Sequence, residues 1–350
     1  MGENRGVLKP RHETSVLKAP EAFREALVRW FVKNARDYPW RRTQDPYQIL
    51  VSEVMLQQTQ IATVLAKGYY TRFLTAFPDV ASLAAAHDAP LLKAWEGLGY
   101  YRRARMLRDT ARTVIADHGG VFPQELAELL KLPGIGRYTA GALRAFVFGL
   151  PAVLVDGNVV RVIARVMDFH GAVDETAGIK QMWDMAEKLA CPDDPRAYHA
   201  ALMELGQLVC RPGVPDCQIC PVARYCQTRS PEKLPHKARK TKITVVDEHA
   251  LWLRDADGRL LLHHEQGKRR TGLWKLPVRP VEEIRHLPVL SEHPYSITRY
   301  RVMLRVHEGD LSHHSLYPAP GDSWHHPDDI LSLAMAAPFR RVVERLLHNC

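Results

Sequence analysis

Four cysteines, Cys210, Cys217, Cys220 and Cys226, fall within seventeen residues at the spacing C-x6-C-x2-C-x5-C. Four thiolates offered by one short loop bind a metal ion or a cluster. Zinc ribbons pair two C-x2-C knuckles across a longer gap. Here there is one such knuckle, and all four ligands come from one compact wrap, which suits a 4Fe-4S cubane better than zinc. Arg211, Arg224 and Arg229 lie in or beside the same loop. They would present cations to a phosphate backbone, or merely form a solvated face. Cys191 and Cys350 stand apart and read as ordinary thiols, and six cysteines in a chain of 350 are too sparse for a disulfide scaffold.

The second chemical feature is a pair of carboxylates. In "SEVMLQQTQ", Glu53 sits among apolar residues with Gln57, Gln58 and Gln60 just beyond. If this stretch is helical, Glu53, Gln57 and Gln60 share a stripe while Leu50, Val54 and Ile61 face the core. Asp156 sits in "AVLVDGNVVRV", in a Gly/Asn turn between two apolar runs. An Asp before Gly is ordinarily a turn or helix-capping residue. Two carboxylates can also divide work at a glycosidic bond. One, protonated in a less polar setting, donates to the leaving group, and the other stays ionised and stabilises an oxocarbenium-like centre. Spacing along the chain does not show that these two meet.

The third feature is "LPGIGRYTAGAL", with Pro133, Gly134 and Gly136 between two apolar helical stretches. This is the pattern of a helix-hairpin-helix, in which glycines let backbone approach closely and the second helix aims free N–H groups at an anion. The target would be a DNA phosphate, bound without reading sequence. The plainer reading is an ordinary turn between two helices.

The elements that must hold these groups fall into two kinds. From about residue 21 to 209 the pattern is helical, as in "EAFREALVRWFVKN" with Phe23, Leu27, Trp30 and Phe31 at helical spacing. "PLLKAWEGLG" and "VVRVIARVMDFHG" both end in glycine, a plausible helix stop. Residues 1–19 read as a flexible basic tail, 20–230 as one helical region and 231–242 as a charged, Pro-containing linker. Residues 243–350 are strand-rich: two β runs flank "DADG", a hairpin signature, and "YSITRYRVMLRVHEGDL" alternates. The composition, 46% hydrophobic and 25% charged, is that of a globular protein, without the apolar run of a membrane helix or the h-region of a secretory signal. The net charge of +9 favours a polyanionic partner, nucleic acid first.

Taken together, "SEVMLQQTQ", "GLGYY", "LPGIGRYTAG", "VDGNVVRV" and the four-cysteine loop resemble the MutY family of adenine DNA glycosylases, in the helix-hairpin-helix glycosylase superfamily. The resemblance covers roughly residues 20–230 in order, and the Glu53 block is what points to adenine. It implies a mainly α fold of two helical lobes with a 4Fe-4S loop, followed by a small α+β MutT-like domain. It implies double-stranded DNA as partner, a monomer, a cytoplasmic and nucleoid-associated location, and removal of adenine mispaired with 8-oxoguanine or guanine after base flipping. Glu53 matches the acid that protonates the base, Asp156 the aspartate that stabilises or traps the sugar cation, and Asn158 a residue that positions this chemistry. Gln58, Thr59, Leu98, Gly99 and Tyr100 match residues around the vacated stack and the lesion, although Tyr100 also reads as a plain core aromatic. Tyr138 stands where bifunctional relatives carry a Schiff-base lysine. The expectation is therefore a monofunctional enzyme with Tyr138 lining the pocket. A bifunctional glycosylase/lyase, a thymine-mismatch glycosylase and a non-catalytic Fe-S DNA-binding protein are the competing readings.

The same resemblance makes residues 243–350 the domain that checks for 8-oxoguanine. "GLWKLP" fits an early strand of that fold, but "GLWKLPVRPVEEIRHLPV" lacks the Gly and dense Glu/Arg helix of a nucleoside-diphosphate hydrolase, so pyrophosphate hydrolysis is not expected. The family's recognition loop aligns with Ile297, Thr298 and Arg299, or with Tyr295, Ser296 and Ile297. The first keeps "YRVML" in phase and is preferred, although all of these residues would equally serve as a plain hairpin.

Overall fold

The computed structural model describes residues 17, 19–238, 242–267, 270–311 and 318–348. Most of the expected N-terminal tail and Cys350 lie outside them. The helices follow one another as α1 (Pro20–Asn34), α2 (Pro46–Leu56), α3 (Ile61–Ala66), α4 (Tyr69–Ala76), α5 (Val80–Ala84), α6 (Asp88–Ala94), α7 (Arg102–His118) and α8 (Leu126–Leu129). Then come α9 (Arg137–Phe146), α10 (Gly157–Val166), α11 (Thr176–Leu189) and α12 (Pro195–Leu208). The rest is β1 (Thr244–Trp252), β2 (Leu260–His264), β3 (Trp274–Lys275), α13 (Val281–Ile284), β4 (Val289–Ile297), β5 (Tyr300–Glu308), β6 (Asp322–His325), α14 (Pro327–Ile330) and α15 (Ala337–His348). Among the described residues no helix is long and apolar enough to cross a membrane.

The chain divides into two compact units, each discontinuous: residues 1–44 with 137–239, and residues 45–136 with 240–350. The first is all helical. Its core joins Phe23 and Leu27 of α1 to Val159, Val162, Ile163 and Val166 of α10 and to Leu202 and Leu205 of α12. Apolar residues three and four apart make one stripe per helix, and the stripes face each other. Leu17 is buried in the same core, so the expected flexible tail ends earlier than residue 19. The expected linker also begins late. Pro231–Lys233 form a 3-10 turn, Leu234 is buried, and the Val173 N–H donates to the His236 carbonyl at 3.0 Å. Helix α10 stops at Val166, short of Gly171, because Asp168 takes φ +50° and turns the chain. Glu204 on α12 has a fully buried side chain and is paired with Arg41 at 2.5 Å.

Behind Glu204 in the chain, His199 is also buried, and its Nε2 lies 2.9 Å from the Ala152 carbonyl oxygen. A carbonyl only accepts, so Nε2 carries the proton, and Nδ1 is buried without a hydrogen-bond partner. Burial pushes the ring down to about 4. The unfolded chain takes up a proton near pH 6.5 that the native ring refuses until about pH 4. Stability should therefore be flat above pH 6.5 and fall from pH 6.5 to 4, by on the order of 3 kcal/mol from this group. Denaturant titrations of the protein and of His199→Gln across that range test this, and equal slopes would contradict it.

The second unit joins helices α2–α8 to α13–α15 and to two three-stranded sheets, ordered β1-β5-β4 and β3-β2-β6. The "DADG" turn is present: the Gly258 N–H donates to the Asp255 carbonyl at 3.0 Å, and Gly258 takes φ +79°. The strands on either side nevertheless enter different sheets. Strand β1 pairs in parallel with β5 from Thr244↔Tyr300 to Trp252↔Glu308, and β2 pairs antiparallel with β3 and β6. Strands β4 and β5 form a hairpin closed at Ile297↔Tyr300. This sheet region is not separate from the 45–136 helices. Leu92 shares a core with Trp252, Leu304 and Phe339. The Glu96 carboxylate takes Arg340 Nε at 2.8 Å and Lys93 Nζ at 2.6 Å, and the Tyr101 hydroxyl donates to the Met335 carbonyl at 3.3 Å.

Candidate active site and cluster loop

In the second unit, α2 starts where Asp45 accepts from the N–H groups of Tyr47 and Gln48, with Pro46 in the first turn. The helix is apolar nearly all round, and Leu50, Val54 and Met55 are buried beside Glu53, which is only 8% exposed. The glutamines are not on this helix. Gln57 caps its C-terminus, Gln58 takes φ +60°, and Gln60 is the N-cap of α3. The expected stripe of Glu53, Gln57 and Gln60 is therefore broken by a turn, in which the Thr59 N–H donates to the Leu56 carbonyl at 3.3 Å. Ile61 is only partly buried.

A second turn of the same kind precedes α7. Leu98 is buried, Gly99 takes φ +70° and Tyr100 takes φ +47°. Positive φ is costly for a bulky side chain and persists only where the surroundings impose it. Tyr100 is 46% exposed, so it is not a core aromatic; Tyr101 is the partly buried ring of the pair. The hairpin tip carries Thr298 at φ +52°, and its hydroxyl lies 3.5 Å from that of Tyr100. Ile297 is 41% exposed, and the Arg299 guanidinium stacks on Tyr300 at 5.2 Å. The alternative triplet is less available, because Tyr295 is tied to Glu248 and to Arg270.

In the Leu132–Gly136 turn, Gly134 takes φ +78°, and a Cβ there would lie 3.0 Å from Met106 Cβ. Gly136 faces open space, so its lack of a side chain is not a packing need. Arg137 opens α9, where Thr139 is buried and Tyr138 is partly buried against the Ala142, Ala145 and Leu154 cluster.

In the first unit, Asp156 is the N-cap of α10, accepting from Val159 N at 2.7 Å. The capping reading is thus correct, and it leaves the carboxylate anchored with its second oxygen taking Asn158 Nδ2 at 2.9 Å. Arg161, one turn further on, was not legible as a site residue. Its guanidinium donates to Asn158 Oδ1 at 2.9 Å, to the Gly206 carbonyl at 2.7 Å and to the Cys210 carbonyl at 2.7 Å. A chain of hydrogen bonds therefore runs from Asp156 to the first cysteine of the loop. Close approach of α12 needs Gly206, since a Cβ there would sit 2.7 Å from Asn158 Cβ. Gly206→Ala should displace Asn158 and destabilise the protein by about 1–3 kcal/mol. Thermal melts and base-release rates of that variant check this, and wild-type values for both would show that the contact yields freely.

Cys210, Cys217, Cys220 and Cys226 all line one cavity of about 340 Å³, together with Val162, Arg165 and Leu205. Among the described residues, no three His, Cys, Asp or Glu side chains stand close enough to hold a single ion. Four thiols around a space wider than one ion fit a polynuclear cluster. Cys191 packs beside the α1–α12 core, as an ordinary thiol does.

The family model of the HhH-GPD superfamily base excision DNA repair proteins matches residues 51–249. The chain is 42% identical to the adenine DNA glycosylase of Homo sapiens, over 59% of this chain and 39% of that protein. It is 31% identical to the adenine DNA glycosylase of Buchnera aphidicola subsp. Baizongia pistaciae, over 85% of each. It spans about two fifths of the length of its mammalian relatives. Among solved structures, a thermostable thymine-DNA glycosylase matches with a TM-score of 0.54 and 30% identity, covering 59% of this chain and 95% of that one. An endonuclease III trapped on DNA shares the fold, at a TM-score of 0.51 and 24% identity, over 62% and 99%. With its family model matched and a bacterial relative aligned along most of both chains, the chain belongs to the HhH-GPD superfamily of base excision DNA repair proteins and, within it, to the adenine DNA glycosylase family.

Proposed function

We propose that the chain is a monofunctional adenine DNA glycosylase that flips adenine from a duplex, hydrolyses its N-glycosidic bond and leaves an abasic site. Adenine opposite 8-oxoguanine, or guanine, is the preferred substrate. The observation that carries this reading is Glu53, a carboxyl only 8% exposed on a largely apolar helix that ends in a glutamine turn. A sheltered acid is what a departing base requires, because protonation at N7 lets adenine leave neutral. Asp156, anchored by the bonds it accepts from the Val159 N–H and from Asn158 Nδ2, stabilises the sugar cation or traps it. Gln58, Thr59, Leu98, Gly99 and Tyr100 meet the DNA around the vacated stack, Gly134 and Gly136 meet phosphates, and Ile297, Thr298 and Arg299 meet the lesion.

Tyr138 has no amine with which to form a Schiff base and lines the pocket instead. Cys210, Cys217, Cys220 and Cys226 would hold a 4Fe-4S cluster, which supplies four iron–thiolate cross-links to the loop when bound. The protein acts as a monomer in the cytoplasm, and its net charge of +9 suits a DNA partner.

End-labelled duplexes holding A:8-oxoguanine, A:G or T:G test the reading. Alkali-dependent cleavage at adenine, fastest opposite 8-oxoguanine, is expected. Preferential release of thymine, or strand cleavage without alkali, would overturn it.

A further inference from the structure

Arg103, the second residue of α7, collects five backbone carbonyls from two different turns. One terminal nitrogen donates to Val54 O at 2.8 Å, to Met55 O at 3.2 Å and to Gln57 O. The other donates to Leu98 O at 3.2 Å and to Gly99 O at 3.4 Å. The last turn of α2 has no basic residue of its own, although its free carbonyls form the negative end of the helix dipole. Arg103 supplies that missing charge from 46 positions beyond Gln57 in the sequence.

The guanidinium also sits over the rings of Tyr100 and Trp95, 5.5 Å from each, and the Trp95 indole N–H adds a bond to the same Gly99 carbonyl at 3.1 Å. Burial lowers its pKa to about 10, which leaves it charged at neutral pH. Its Nε is buried without a hydrogen-bond partner. A cavity of about 40 Å³ adjoins it, lined by Val54, Gln57, Met106, Thr110 and Gly134 as well as by Arg103. That is room for a water. Thus the end of the acid-bearing helix and the Tyr100 turn meet at one guanidinium, and the hairpin glycine lines the cavity beside it.

We infer that Arg103 is a positioning residue: it locks the Gln57–Gln58 turn to the Gly99–Tyr100 turn, so that DNA engagement by these turns and proton delivery from Glu53 share one register. The inference rests on the proposed glycosylase function. A lysine would keep the charge, but its three donors on one nitrogen cannot span carbonyls on both turns.

Arg103→Lys is the test. Its melting temperature should fall modestly, because an ammonium leaves some of the five carbonyls unmet, while its cluster absorbance and its affinity for a duplex carrying a non-hydrolysable adenine analogue should stay near wild type. Its single-turnover adenine release should fall about 100-fold, the scale of a small misplacement of reacting groups. Amide hydrogen exchange should speed up at both 58–60 and 98–101. An unchanged rate, or unchanged exchange at either turn, would overturn the inference. If the lysine variant does not fold, native-state exchange of the wild type decides. One shared opening free energy for the two turns supports the coupling, and two unrelated openings refute it. The exchange measurements need no enzymatic activity. Absence of adenine release by the wild type would therefore sink the proposed function and leave this coupling separately judged.

Discussion

Glu53→Gln should slow adenine release by roughly a hundred- to ten-thousand-fold, the usual contribution of a positioned general acid. The two side chains have nearly the same shape, and both can hydrogen-bond, but the amide N–H is too weakly acidic to be transferred to a leaving base. Because Glu53 is itself buried, with Leu50, Val54 and Met55 buried on the same helix, a nearly isosteric change should leave α2 in place. Duplex affinity, circular dichroism and the absorbance of the proposed cluster should therefore match wild type while the single-turnover rate collapses. Release at the wild-type rate would remove Glu53 from the role of acid. Loss of rate together with loss of fold would be a packing effect and would equally fail to support that role.

Arg165→Leu should destabilise the first unit by roughly 3–5 kcal/mol, since buried carbonyls stripped of a donor each carry a desolvation cost. Arg165 is 1% exposed. It donates to Leu234 O at 3.0 Å, Arg211 O at 2.8 Å and Gly213 O at 2.9 Å, and lies 3.3 Å from Cys210 Sγ. One side chain thus ties the start of the cysteine loop to the segment that follows it. Leucine fills a similar space and satisfies none of these acceptors. Denaturant unfolding should show the loss, and the visible absorbance of the proposed cluster should fall per protein as the loop loses its anchor. Arg165→Lys should recover only part, because an ammonium cannot fan out to acceptors in several directions. A leucine variant with wild-type stability and full colour would show that the loop is held by other means.

Much of this could be read from short-range patterns. The cap at Asp156 is local: its side chain bonds to backbone three residues away, so residue type and position suffice. The helical stripes of α1 and α10 follow from spacing of three and four. The four cysteines lie within one loop, and the cavity they share follows from that proximity. The β4–β5 hairpin was legible because its partners are adjacent in the chain.

What escaped the sequence depends on partners far apart along it. The glutamines looked like a helical stripe because nothing local announces the stop after Leu56. The carbonyls freed there are met by Arg103, which no spacing rule connects to α2. Nothing in the sequence around Gly206 shows that α10 presses against it, or around Arg161 that Asn158 and Cys210 lie at its ends. The partner of β1 is β5 rather than its neighbour β2, since a strand's hydrogen bonds are satisfied by whatever edge the folded chain brings alongside. Residue types and short spacings thus singled out the carboxylates, the cysteines and the hairpin. Which groups brace them is a matter of long-range backbone satisfaction and close packing, and neither leaves a periodic trace in a single chain.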